Sequence, residues 1–265
     1  MTRPLCLVTG ASAGIGAACA KAFARNGYDL CLTARRGDRL EALAVEVRQA
    51  FGADAICVTA ELAAPGAVDA VLQAVADRGR RIDALVNNAG FSIAGSYLDS
   101  RWEDQARFLQ VMTVAMAEFA HKLIPAMVAR RSGRIVNVAS VAGLAPGAAG
   151  HTLYGAAKAF VIKMSESLHL ELRASGVHVT ALCPGFTLSE FHDVNGTRDL
   201  VSRLPKWMWL DADVIAQEAY DAVEANRPLC IPGLPYKAIV ALARSVPESW
   251  AVSAMGRYSA RFRKA

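Results

Sequence analysis

An α/β fold built on one doubly wound, parallel sheet is predicted by three observations. Short apolar runs alternate with helical patterns along the chain. Most of those runs are crowded with Val, Ile, Leu and Cys and alternate little, as strands covered on both faces do. The chain has 265 residues, 54% hydrophobic and 20% charged, which suits one large core and excludes intrinsic disorder.

In order, strands are expected at Leu5–Thr9, Asp29–Ala34, Ala55–Thr59, Ala84–Asn87, Arg134–Ala139, His178–Cys183 and Leu229–Ile231. Between them, helices are expected at Ile15–Asn26, Asp38–Phe51, Gly66–Arg78, Glu103–Ala129, Leu153–Ala174 and Asp213–Ala225. Asp211 and Asp213 suit the N-cap of the last helix. No repeat and no linker-like stretch divides the chain, so residues 1–265 read as one domain. The first residues enter a strand at once, without a secretory signal, and no uninterrupted apolar run reaches the ~18–20 residues of a membrane span. A cytoplasmic protein is expected.

Cys6, Cys19, Cys31, Cys57, Cys183 and Cys230 lie in apolar strand- or helix-like settings, without a C-x-x-C pair or a nearby His at ligand spacing. They read as buried free thiols, and no metal site is expected. The net charge of +5 is concentrated from Tyr236 to Ala265, where six basic residues face one acid, Glu248. The remaining 235 residues are neutral overall, which argues against a nucleic-acid-binding surface.

Directly after the first strand stands Thr9-Gly10-Ala11-Ser12-Ala13-Gly14-Ile15-Gly16, opening a helix. Gly10 permits a tight turn, the later glycines allow close backbone approach, and the helix N-terminus offers N–H groups to a pyrophosphate. Strand two ends Ala34-Arg35-Arg36, where an NAD-specific site places an acid for the ribose 2′-hydroxyl. A guanidinium there binds a 2′-phosphate, Arg35 first of all, so NADP(H) is favoured over NAD(H).

Tyr154 and Lys158 stand at i and i+4 on one helix face. A free tyrosine titrates near 10, and bringing it close to neutrality takes about 4 kcal/mol of preferential phenolate stabilisation. A fixed cation in a partly dry cleft supplies that. Ser140, at the end of strand five, can donate to a substrate carbonyl oxygen or serve only as a cap.

With TGASAGIG at 9–16, NNAG at 87–90, Ser140, YGAAK at 154–158 and Pro184-Gly185, the chain resembles the short-chain dehydrogenase/reductase family. The resemblance implies Tyr154 as general acid/base, Ser140 as the group orienting the carbonyl, and Lys158 as holding the nicotinamide ribose and lowering the Tyr154 pKa. It implies a cofactor site of Gly10, Ser12, Ala13, Gly14, Ile15, Gly16, Arg35, Arg36, Glu61, Leu62, Asn88, Ala89, Gly90, Tyr154 and Lys158. Pro184, Gly185, Thr187 and Ser189 would border the nicotinamide. One departure is Met112, thirteen residues before Pro125, where the family commonly has an Asn of a proton relay. Either a backbone carbonyl with water replaces that amide, or turnover is slow.

Residues 187–210, with Phe191, Trp207, Met208 and Trp209, read as a substrate lid that makes the pocket apolar, or as aromatic packing of that segment on the body. His151 reads as a polar loop residue or a substrate contact. The expected substrate is a fairly apolar carbonyl compound or secondary alcohol. A ketoacyl-thioester reductase and a weakly catalytic dinucleotide-binding regulator are the alternatives. Relatives imply a homodimer or homotetramer. The basic extension at 236–265 packs on the body or touches an anionic membrane surface.

Overall fold

The computed structural model describes residues 2–93, 95–150, 152–188 and 205–259. Seven parallel strands form one sheet: β1 (Leu5–Thr9), β2 (Asp29–Ala34), β3 (Ala55–Thr59), β4 (Ala84–Asn87), β5 (Gly133–Val138), β6 (Val177–Leu182) and β7 (Leu229–Cys230). Their spatial order is β3-β2-β1-β4-β5-β6-β7. The expected architecture is therefore the one observed, although β7 is one residue shorter than expected.

Side-chain alternation explains why helices cover both faces. Cys6 and Val8 of β1 face α1 (Gly14–Arg25), α2 (Gly37–Phe51) and α7 (Ala212–Glu224), through Phe23, Leu40 and Ile215. Leu5 and Leu7 face the opposite layer of α3 (Ala67–Ala76) and α5 (Ala115–Ala129), where Val71, Val75 and Phe119 are buried. The six cysteines are free and all but Cys57 are buried. Burial pushes the Cys19 and Cys31 thiols up to about 12, so these thiols stay protonated.

The long helix expected at Glu103–Ala129 is interrupted. It consists of α4 (Trp102–Leu109), a π turn at Gln110–Val114, and α5. The amide N–H of Ala115 reaches five residues back to the Gln110 carbonyl rather than four. The stretch Trp102–Ala129 is long and apolar enough to cross a membrane by length and composition alone. Here it buries Val111, Met112, Ala115, Met116 and Phe119 against the protein. α6 (Thr152–Leu172) follows β5, and Asp211 alone caps α7, accepting the Asp213 N–H at 2.8 Å.

The described residues close with α8 (Leu234–Ser245) and α9 (Glu248–Ser259), separated at Pro247. α8 buries Tyr236 and Val240, while Ile239, Leu242 and Trp250 are exposed.

The strand order reverses on either side of β1, since chain succession runs outward to β2 on one flank and crosses to β4 on the other. Ligands of open α/β sheets bind beyond the strand ends at such a switch. Every candidate site residue within the described part lies at those strand ends or in the helices that follow.

Candidate active site

The glycine turn after β1 is built by positive backbone angles, φ +66° at Gly10 and +57° at Gly14. A β-carbon on Gly10 would stand 2.8 Å from the Ala89 Cα, so the turn is closed against the end of β4. Asn88 holds it there. Its amide donates to the Thr9 and Gly10 carbonyls at 3.0 and 3.2 Å. Thr9 Oγ1 in turn accepts the N–H groups of Asn88 and Ala89. The Asn88 side chain thus braces the turn, a role local spacing does not reveal.

α1 begins at Gly14 with Ala13 extended, without a side-chain cap and without an acid in its first turn. Its leading N–H groups are the donors an anion needs. Arg36 reaches the same turn, donating to Ser12 Oγ from Nε at 3.3 Å and Nη2 at 3.0 Å. The residues present therefore fit a dinucleotide pyrophosphate, with a fixed cation beside it.

Arg35 is placed differently from the sequence expectation. Its guanidinium lies 3.6 Å from Glu61, which also accepts from Arg107. Burial alone would raise the Glu61 pKa, but hydrogen bonds from Arg107 and the Ala63 N–H, with both guanidinium charges, hold it below the usual range. Two arginines around one carboxylate leave this edge positive. Arg36, not Arg35, is the guanidinium tied into the glycine turn. Leu62 is buried in the apolar layer with Val68 and Val71.

Ser140 caps a short 3-10 turn at Val141–Gly143, its Oγ accepting the Ala142 N–H at 3.1 Å. That turn presses on α6: a β-carbon on Gly143 would lie 2.6 Å from the Lys158 carbonyl carbon. The close approach brings Ser140 to Tyr154, and the two side chains are hydrogen-bonded. Ser140 is thus a cap, and its side chain also meets the Tyr154 phenol.

Lys158 is buried and donates from Nζ to the Val138 carbonyl at 2.8 Å. Nζ stands 5.7 Å from the Tyr154 ring centroid. Burial pushes Lys158 down to about 8. Burial also raises the Tyr154 phenol, and only the Ser140 hydrogen bond opposes it. The expected lowering of Tyr154 by Lys158 is therefore not what this geometry produces. The ammonium is turned to a backbone carbonyl, and desolvation outweighs it. At neutral pH the phenol is protonated.

Around Tyr154 lies an apolar cluster of Phe108, Met112 and Ala157, packed with Phe91, Ile93 and Leu153. Phe91 and Phe108 meet edge to face at 5.6 Å. A small cleft, partly open to solvent, adjoins Tyr154 and is lined by Ile93, Tyr97, Gln105, Phe108, Thr152 and Leu153, among others. Sequence reasoning missed Gln105 and Phe108, whose only signal was their place on an amphipathic helix.

On the other flank, Val141 N–H bonds the Pro184 carbonyl, joining the loops after β5 and β6. Thr187 bridges Leu210 as a short parallel contact, so the two ends of the 187–210 segment are zipped together. Trp209 packs on Phe186 at 5.8 Å, whereas Trp207 is exposed. Ser189, Phe191 and His151 lie outside the described residues.

The sequence matches the family model of short chain dehydrogenase over residues 4–198. The chain belongs to the short chain dehydrogenases. As a short chain dehydrogenase it is an NAD(P)-dependent oxidoreductase acting on CH–OH groups. It is 35% identical over 186 residues to the oxidoreductase UcpA of Escherichia coli (strain K12), covering 70% of each chain. A short-chain dehydrogenase from Sphingobium yanoikuyae in complex with NADPH superposes with a TM-score of 0.80 at 35% identity, over 91% of this chain and 94% of that one. A short chain dehydrogenase/reductase from Burkholderia phymatum in complex with NAD gives 0.82 at 25% identity, over 92% and 94%.

Proposed function

We propose that this short chain dehydrogenase interconverts a carbonyl and a secondary alcohol on fairly apolar substrates with NADP(H), with Tyr154 as the proton-transferring group. The observation that carries the reading is the joint placement of Ser140, Tyr154 and Lys158, with Tyr154 lining a cleft and packed against an apolar cluster.

The glycine turn, the α1 N-terminus and Arg36 would hold the dinucleotide, with Arg36 beside the 2′-phosphate of NADP(H). Lys158 and the Pro184–Gly185 loop would hold its nicotinamide half. When bound, the dinucleotide supplies or accepts the hydride. Tyr154 gives its phenolic proton to the substrate oxygen in reduction and takes it back in oxidation. Ser140 and Tyr154 together donate to the oxygen as negative charge develops on it. The raised phenol pKa keeps Tyr154 in its acid form at neutral pH, which favours reduction.

Val128, Phe160 and Leu170 are exposed apolar side chains on α5 and α6. They support the further reading that the protein forms a dimer or tetramer through these helices, which light scattering tests.

Replacing Tyr154 by Phe tests the chemistry. Carbonyl reduction should fall by about a thousandfold or more, while NADPH binding measured by fluorescence stays within a few-fold. Turnover within tenfold of the parent protein would sink the reading.

A further inference from the structure

The cleft beside Tyr154 is lined by the apolar side chains of Ile93, Phe108 and Leu153 together with polar ones, among them Gln105, only 6% exposed on α4. Its amide orientation is set by a chain of donors. Ser100 Oγ donates its single proton to the Tyr97 carbonyl at 3.3 Å, so its oxygen must accept from Gln105 Nε2. The Ser96–Asp99 capping box holds the intervening turn in place. Gln105 Oε1 is therefore the amide atom left over. Among the described residues it accepts no hydrogen bond, and it is not sealed from solvent.

We propose that Gln105 is a specificity-determining residue: Oε1 accepts a hydrogen bond from a substrate hydroxyl remote from the reacting carbonyl. The preferred substrate class is then an apolar, preferably aromatic, ketone carrying one hydroxyl. Ile93, Phe108 and Leu153 supply the walls for its hydrocarbon part. Oε1 can only accept, so a methyl ether at the same place gains nothing. A substrate without the hydroxyl closes the pocket over an acceptor left unpaired, which is how polar pockets reject such analogues. This inference rests on the reading that Tyr154 serves a carbonyl in this cleft.

The test compares phenylacetone, its meta- and para-hydroxy derivatives and their methyl ethers as substrates with NADPH. The readout is the ratio of kcat/KM values within one enzyme preparation, which cancels any change in folded fraction. One hydroxy isomer should exceed both phenylacetone and its methyl ether by about tenfold or more. In Gln105→Leu the ratio should fall to within about twofold, whereas Gln105→Glu, which keeps an acceptor, should retain a preference. Calorimetric binding of the same compounds to the NADPH complex of Tyr154→Phe should show the same order without turnover. A wild-type enzyme with no hydroxyl preference, or a preference that survives Gln105→Leu, overturns the inference while leaving the role of Tyr154 intact. A preference in binding together with full activity of Tyr154→Phe overturns that role and leaves the subsite standing.

Discussion

The phenol of Tyr236 occupies the space that a side chain on Gly185 would need; a β-carbon there would fall inside the ring. The Tyr236 hydroxyl accepts the Phe186 N–H at 2.9 Å and donates to the Met208 carbonyl at 2.6 Å. One buried residue of α8 thus pins the loop after β6 to the far end of the 187–210 segment. The basic C-terminal extension, read from sequence as packing on the body or touching a membrane surface, begins with this packed connection.

Two substitutions separate its parts. Gly185→Ala forces the ring away and should cost about 1–3 kcal/mol through overpacking. Tyr236→Phe keeps the ring and removes the hydroxyl that joins the Phe186 N–H to the Met208 C=O, which should cost ~1–3 kcal/mol. In a chain of this length each kilocalorie lowers Tm by roughly 2–4 °C. Thermal unfolding of the two variants checks this; an unchanged Tm in both would refute the connection.

Arg36 is fixed on Ser12, whereas Arg35 shares Glu61 with Arg107. A 2′-phosphate should therefore be read mainly by Arg36. Replacing Arg36 by Ala should reduce the ratio of kcat/KM with NADPH to that with NADH by about ten- to a hundredfold, and Arg35→Ala by less. Steady-state assays with both dinucleotides decide it, and equal effects of the two substitutions would remove the distinction.

Lys158 gives a pH signature. Its pKa in the fold is about 8, against 10.5 for an ordinary lysine, because burial disfavours the ammonium. Reduction that requires the charged side chain should lose kcat/KM as pH rises through about 8. Lys158→Arg, which stays protonated, should move that limb above pH 10. Stability of the ligand-free chain has the opposite slope. Between about pH 8 and 10.5 the unfolded state holds the proton that the native state has released, so stability rises by up to ~1.4 kcal/mol per pH unit. Urea midpoints of the parent and Lys158→Met across this window should diverge accordingly; parallel curves would show that Lys158 is charged throughout.

What could be read from sequence was what local spacing encodes. Seven apolar runs became the seven strands, and Tyr154 and Lys158 share a helix face because four residues make about one turn. The glycine turn was legible because positive φ selects glycine at Gly10 and Gly14. Relationships between distant residues were not. Glu61 and Arg107 stand 46 positions apart, and Tyr236 meets Phe186 across 50. Neither leaves a periodic trace. The direction of the Tyr154 shift also depends on burial and on where the Lys158 amine turns, which the i,i+4 pattern does not specify.

Met112 is the last case, because its identity left open either a backbone carbonyl with water in place of the amide or slow turnover. The side chain is fully buried, and a β-carbon on Gly90 would stand 2.7 Å from its sulfur. It fills the floor of the apolar cluster that includes Phe108, Ala157 and Tyr154, within the π turn of the long helix. An asparagine there would exchange a packed thioether for an amide among hydrocarbon neighbours. The lost packing and unpaired polar atoms should together cost about 2–5 kcal/mol. Met112→Asn should therefore lower Tm clearly, while kcat of the folded fraction stays within about tenfold of the parent, or ~1.4 kcal/mol in barrier. The turn's geometry, not the side chain, then provides whatever backbone acceptor the reaction uses. A hundredfold rise in kcat would mean instead that the methionine holds the natural enzyme back.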